Sequence, residues 1–217
     1  MLHRFANVTL DHCIVGPIVA VDGAEIQAND SVIDASDEEE IAYCGRAPAG
    51  GGGLLTVSNV GDRQVGDGLA PGAHLTLNAC TVLGKVHAEQ LDVSDSILLA
   101  RRTGPADPWA APVWAERRQV GCIRFSFVPE GSRTPRRFHC AGADPAERPF
   151  HTSLRYGDPG YMQLRRSTHT AIRTGSSDEA AMGVTHELFE PQRETNLLVR
   201  LDEYLRHGLE AGFFYAT

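Results

Sequence analysis

Thr9-Leu10-Asp11-His12-Cys13-Ile14-Val15-Gly16-Pro17-Ile18 is matched, with one residue inserted, by Thr76-Leu77-Asn78-Ala79-Cys80-Thr81-Val82-Leu83-Gly84-Lys85-Val86. A second correspondence sets Asn29-Asp30-Ser31-Val32-Ile33-Asp34-Ala35 against Ser94-Asp95-Ser96-Ile97-Leu98-Leu99-Ala100. Each block repeats one pattern: a polar residue with Asp, Asn or Ser, two or three apolar residues, then Gly or Ala. Cys13 and Ser31 are 18 residues apart, Cys80 and Ser96 16. Very short strands recurring about every 20 residues, each bounded by Asn, Asp or Gly, are what stacked rungs require. Gly and Asn tolerate left-handed corners, and small β-branched side chains turned inward form the core. Helical periodicity is poor through this half, so an α/β reading with crossover helices is disfavoured. The expected fold is all-β: a right-handed parallel β-helix (solenoid) over residues 1–121. An irregular C-terminal capping or assembly region over 122–217, containing one amphipathic helix, is expected to follow.

The composition fits such a division. Of 217 residues only 7% are aromatic, while 22 Gly and 12 Pro make turns frequent. The net charge of −8 is unevenly shared. Residues 1–100 carry 14 acidic and 4 basic side chains, whereas residues 101–217 carry 14 and 16. No run of about 18 apolar residues exists, so membrane insertion is not expected. The start Met1-Leu-His-Arg-Phe-Ala-Asn lacks the apolar core of a secretory signal. The expected compartment is the cytoplasm, with export as part of an assembly left open.

Between the repeated blocks, Asp37-Glu38-Glu39-Glu40 reads as a solvated loop. The glycines at 50–53 read as an excursion from one corner, with Leu54-Leu55-Thr56-Val57 re-entering the stack. In Gln119–Val128, strand alternation places Cys122, Arg124, Ser126 and Val128 on one face and Ile123, Phe125 and Phe127 on the other. A helix is expected from Gln192 through His207, with Pro191 in its first turn and Gly208 as its stop. Its stripe of Leu197, Leu198, Leu201, Tyr204 and Leu205 suits a cap over an exposed end of the stack, and Phe213-Phe214-Tyr215 suits a terminal strand.

Chemistry is sparse. Cys13, Cys44, Cys80, Cys122 and Cys140 form no CxxC and no zinc-finger spacing with His. Cys13 and Cys80 read as small buried hydrophobes. A Cys122–Cys140 disulfide stays open beside the reduced state that a cytosolic chain would keep. Asp30 and Asp95 are candidate carbohydrate-site carboxylates, but their equivalence in the repeat suits a corner or polar ladder better than a unique active site. His12, His74 and His87 could align in a stack, with His87 a candidate base. Neither GxSxG nor HExxH is present, and no catalytic residue, cofactor or metal is expected. Arg117, Arg118, Arg124, Arg133, Arg136 and Arg137 form a cluster with Glu130 as its sole acid. It is the candidate binding surface for an acidic glycan or nucleic acid. Salt bridges to the acidic first half are the alternative reading. Nucleic acid is the less favoured ligand, since only Arg124-Phe125 and Arg137-Phe138 pair a base-stacking ring with a cation.

Three stretches carry a resemblance: Gln119–Phe138, Phe150–Tyr161, and Met182-Gly183 through Pro191–Asn196 with Arg200–Tyr204. They resemble the C-terminal region of uncharacterised bacterial right-handed parallel β-helix proteins, some described as phage-tail-like. The resemblance implies a β-helix with a tail, and a chain that is a fragment or short version of a longer design. It supplies no catalytic residue. The expected function is a non-enzymatic structural or binding role in a phage-tail-like or related multi-protein assembly. Self-association is expected through an open N-terminal rung or the C-terminal tail. The alternative is a carbohydrate-active enzyme or carbohydrate-binding module of the polysaccharide-lyase-like solenoid type.

Overall fold

The computed structural model describes residues 7–46, 56–57, 64–65 and 68–210. Its strands are short because each apolar run is cut by a polar turn. They are β1 (Asn7–Asp11), β2 (Ile14–Val15), β3 (Ile18–Ala20), β4 (Glu25–Asn29), β5 (Val32–Asp34) and β6 (Ile41–Gly45). Next come β7 (Thr56–Val57), β8 (Gln64–Val65), β9 (Gly72–Asn78), β10 (Thr81–Leu83), β11 (Lys85–Ser94) and β12 (Ile97–Leu99). The series ends with β13 (Val113–Ala115), β14 (Cys122–Arg124) and β15 (Arg136–Phe138). Two helices follow, α1 (Thr170–Arg173) and α2 (Glu190–Tyr204).

A nine-stranded parallel sheet runs β1-β4-β9-β11-β14-β15, with β3, β6 and β13 branching through β11. A four-stranded parallel sheet, β2-β5-β10-β12, lies against it. This arrangement corrects the expectation of an all-β right-handed parallel β-helix. Thirteen strands form two parallel sheets accompanied by two helices, an α/β combination, and no closed solenoid forms among the described residues. The cause lies in β11, whose 10 residues serve two stacks. Its first half pairs with β6 and β13 and its second half with β9 and β14. Two strand sets are thereby fused into one sheet. Thr56–Val57 also departs from expectation, pairing antiparallel with β8 instead of joining a parallel stack. The glycines at 50–53 and the Phe213–Tyr215 tail lie outside the described residues.

The core between the sheets is aliphatic: Ile26, Leu75, Leu77, Leu91, Val93 and Ile123 meet Ile33, Val82, Leu98 and Val128. Each such burial contributes roughly 1.5–3 kcal/mol. The outer face of the four-stranded sheet is covered too. Val32, Leu83, Ile97, Leu99 and Phe127 pack against Met162, Leu164, Ile172 and Met182 of the C-terminal region. Ile97, Leu98 and Leu99 are therefore all buried, as a sheet covered on both faces requires. Gly183 makes one close approach in this packing. At φ 88° a Cβ there would stand 2.7 Å from Thr81 Oγ1, which accepts the Val184 N–H.

The covering segment is thus residues 150–184, and not the amphipathic helix. Helix α2 starts two residues before the expected position and ends three before it. It buries no residue, and Leu197, Val199 and Tyr204 are exposed. The expected alternation in Gln119–Val128 also fails, because Phe125 takes a left-handed conformation at φ 48°. The inward set becomes Ile123, Ser126 and Val128.

Candidate functional site

That kink belongs to a series. Just past each of the six strands β1, β4, β9, β11, β14 and β15, a non-glycine residue is left-handed: His12, Asp30, Ala79, Asp95, Phe125 and His139, at φ 45–50°. Neighbouring bends stack through one backbone bond each, such as Asp30 N–H to Asn78 O at 3.0 Å and Asp95 N–H to Arg124 O at 3.2 Å. The next residue is always Cys or Ser: Cys13, Ser31, Cys80, Ser96, Ser126 and Cys140. Every one of these six side chains donates to the carbonyl two residues earlier, from Ser96 to Ser94 O at 2.6 Å to Cys140 to Phe138 O at 3.5 Å. Their oxygens and sulfurs also accept the backbone N–H of the preceding layer, as in Cys80 N–H to Ser96 Oγ and Ser96 N–H to Ser126 Oγ. A buried N–H left without a partner is costly, so this short donor-acceptor side chain supplies what the bend removes. Burial pushes the Cys80 thiol up to about 11 and raises Cys140 as well. All five cysteines are free, including Cys122 and Cys140.

Outside the bend, the side chains diverge in role. Asp95 is buried and accepts the Ser177 N–H at 2.6 Å and its hydroxyl at 3.2 Å, which anchors the C-terminal segment. Asp30 lies beside His12 and Glu187, and burial first, then Glu187, raises its carboxyl above the ordinary value. The layer of Ala79 lies between those of Asp30 and Asp95, and the buried Asp95 carboxylate is taken up by Ser177.

The arginine cluster is divided. Arg117, Arg118 and Arg136 line one groove of about 740 Å³ with Glu116, Gln119 and Thr134. Arg118 and Arg137 line an adjoining groove of about 420 Å³. Arg137 is tied to Thr134 Oγ1 at 2.8 Å, and Arg124 to Ser94 Oγ at 2.7 Å. Arg133 contributes its exposed side chain to neither groove. The acidic run finds other partners: Glu38 takes two 2.9 Å bonds from Arg148, and Glu39 pairs with Arg101 at 3.0 Å.

Two groupings form around His74 and His87, which the sequence singled out without their partners. On the outer face of the nine-stranded sheet, His74 Nε2 lies 3.0 Å from Asp92 Oδ2, with Gln90 and Thr76 beside it. This face continues through Arg124 and Arg136 to exposed Phe138, which stands edge-on to Phe125 at 5.6 Å. The alternate polar positions of His74-Leu-Thr-Leu-Asn78 carry that signal. The other grouping is buried. Lys85, the sole lysine, pairs with Asp107 at 3.3 Å and sits over the Trp109 ring, while His87 stacks on Trp114 at 4.2 Å. His87 Nδ1 lies 3.0 Å from Gly68 O and Nε2 2.9 Å from Glu116 Oε1, so both nitrogens are engaged. Burial opposes ionisation of Asp107, but N–H bonds from Trp109 and Thr103, the Thr103 hydroxyl and Lys85 hold its carboxyl down at about 2. Of this cluster the sequence singled out His87 alone, as a candidate base, and not its partners.

No family model matches the chain, and neither does any curated protein or solved structure. No helix among the described residues is long and apolar enough to cross a membrane.

Proposed function

We propose that the chain is a non-enzymatic structural or binding protein, a component of a phage-tail-like or related multi-protein assembly, in which copies associate head to tail. The observation that carries this reading is the state of the two ends of the stack. At the first end, β1, β2 and β3 have no strand on their outer side among the described residues, and Val8, Ile14, Val19 and Val21 are 38–52% exposed. At the other end, β15 is exposed at all three of its residues. Unpaired parallel edges template further strands. Charge favours joining unlike ends: Asp11 lies on β1, Arg136 and Arg137 on β15. Such a heterologous contact propagates into a filament unless it closes.

Size-exclusion with light scattering tests this. The expected mass rises with concentration and falls with salt, and Arg136→Glu lowers it. A strictly monomeric particle over a broad concentration range overturns the reading.

A second reading, glycan binding, is favoured by the His74–Asp92 face that ends on Arg124, Arg136 and Phe138. A glycan panel with and without Ca²⁺ separates the two. Binding abolished by Phe138→Ala, with mass unchanged by concentration, selects the glycan.

A further inference from the structure

Three distant parts of the chain converge at the first bends. His12 and Asp30 occupy successive left-handed positions, so their side chains leave neighbouring layers on the same side. Glu187 arrives from the 3-10 turn His186–Leu188. One ligand atom from each, an imidazole nitrogen and two carboxylate oxygens, lies within 4.8 Å of the others. His12 Nε2 and Glu187 Oε2 are 3.4 Å apart. That is long for a charge-assisted hydrogen bond, typically ~2.7–2.9 Å. It equals the edge of a tetrahedron whose metal–ligand bonds are roughly 2.1 Å. Independently, Asp30 Oδ1 is buried without a hydrogen-bond partner among the described residues. A buried acceptor in that state calls for a cation or donor. His12 and Glu187 side chains are 62% and 61% exposed, which leaves a path from solvent.

We propose that His12, Asp30 and Glu187 bind one divalent cation of the zinc class, which staples the C-terminal segment to the first two layers. The imidazole selects against Ca²⁺ and Mg²⁺, which take oxygen ligands, and suits Zn²⁺ or Co²⁺. Two carboxylates and a neutral imidazole supply a net −2 opposite the dication, and exposed Asp11, whose Oδ1 is 3.7 Å from His12 Nδ1, adds to the local field. His186 is held apart by Asp178 at 3.3 Å and by Ala181 O. Three protein ligands leave a fourth position for water. His12 directly follows β1, so the site borders the edge at which the head-to-tail contact is proposed.

The test is calorimetric titration of the metal-free chain with Zn²⁺, repeated with Co²⁺ followed by visible absorption. One equivalent is expected to bind. His12→Ala, Asp30→Asn and Glu187→Gln are each expected to weaken it at least tenfold. Zinc is expected to raise the thermal midpoint of the native chain but not that of Glu187→Gln. Because His12 and Glu187 are exposed, their variants keep the fold, which circular dichroism verifies. Absence of binding at micromolar zinc overturns the proposal. So does one-equivalent binding that survives both His12→Ala and Glu187→Gln unchanged.

Discussion

Replacing Ser96 by Ala removes one hydroxyl from the interior of the bend, and the cost can be worked from its partners. Ser96 is fully buried. Its Oγ accepts the Cys80 N–H at 2.9 Å and donates to Ser94 O at 2.6 Å. Ser94 O keeps a second donor, the Ala79 N–H at 3.0 Å, so the loss falls on the Cys80 amide. A buried donor left unpaired costs roughly 1–3 kcal/mol. We expect about 2 kcal/mol, or a fall of about 4–8 °C in thermal midpoint for a chain of this size. Ser96→Cys places there the residue type found at Cys13 and Cys80, and should lose about half as much, since sulfur accepts more weakly than oxygen. Thr195→Ala, which removes an exposed hydroxyl bonded to Pro191 O, is the control and should stay within about 0.5 kcal/mol. Urea unfolding reads all three as shifts in midpoint at constant slope. If Ser96→Ala proves indistinguishable from Thr195→Ala, the bend is not held by its side-chain ladder.

Three further outcomes follow from the interior. Asp107→Ala should destabilise the fold by about 3 kcal/mol at pH 7, because it strands the buried Lys85 charge. Since the Asp107 carboxyl is lowered to about 2, its contribution is whole above pH ~4 and is lost as pH falls toward 2, so native and variant midpoints should converge there. Tyr43→Phe should leave stability equal or raise it by about 1 kcal/mol, as the buried Tyr43 hydroxyl has no hydrogen-bond partner among the described residues. In the native chain at pH 8, exposed Cys122 should react with iodoacetamide while Cys80, its thiol raised to about 11 by burial, stays unmodified by mass spectrometry.

Much of the bend was legible in the primary structure. Aligning Cys13 with Cys80 and Ser31 with Ser96 marks four of its six layers. Ser126 was hidden because strict alternation was carried through Phe125, whose left-handed angle moves Ser126 and Val128 to the opposite face, and Cys140 lay outside the aligned repeats. The two-sheet architecture was not legible, since it depends on β11 bridging two strand sets, and short apolar runs carry no record of which neighbour they join. Helix α2 announced itself through its stripe and Pro191, but periodicity says that a face is apolar and not what covers it. The site of His12, Asp30 and Glu187 was visible only in part. Asp30 and His12 were singled out separately, and nothing local to Glu187 reveals that 175 residues of chain return it to His12.

The bends at His12, Asp30, Ala79, Asp95, Phe125 and His139 are separated by 18, 49, 16, 30 and 14 residues, yet each meets its neighbour with the same contacts. As a building element, the recurring unit is the bend and the Ser or Cys beyond it, not a repeat of fixed length. Loops can lengthen, shrink or diverge between bends without retuning the rest. An inserted segment that preserves this pair would present the same backbone and side-chain partners to both neighbours, so length and layer geometry are set independently.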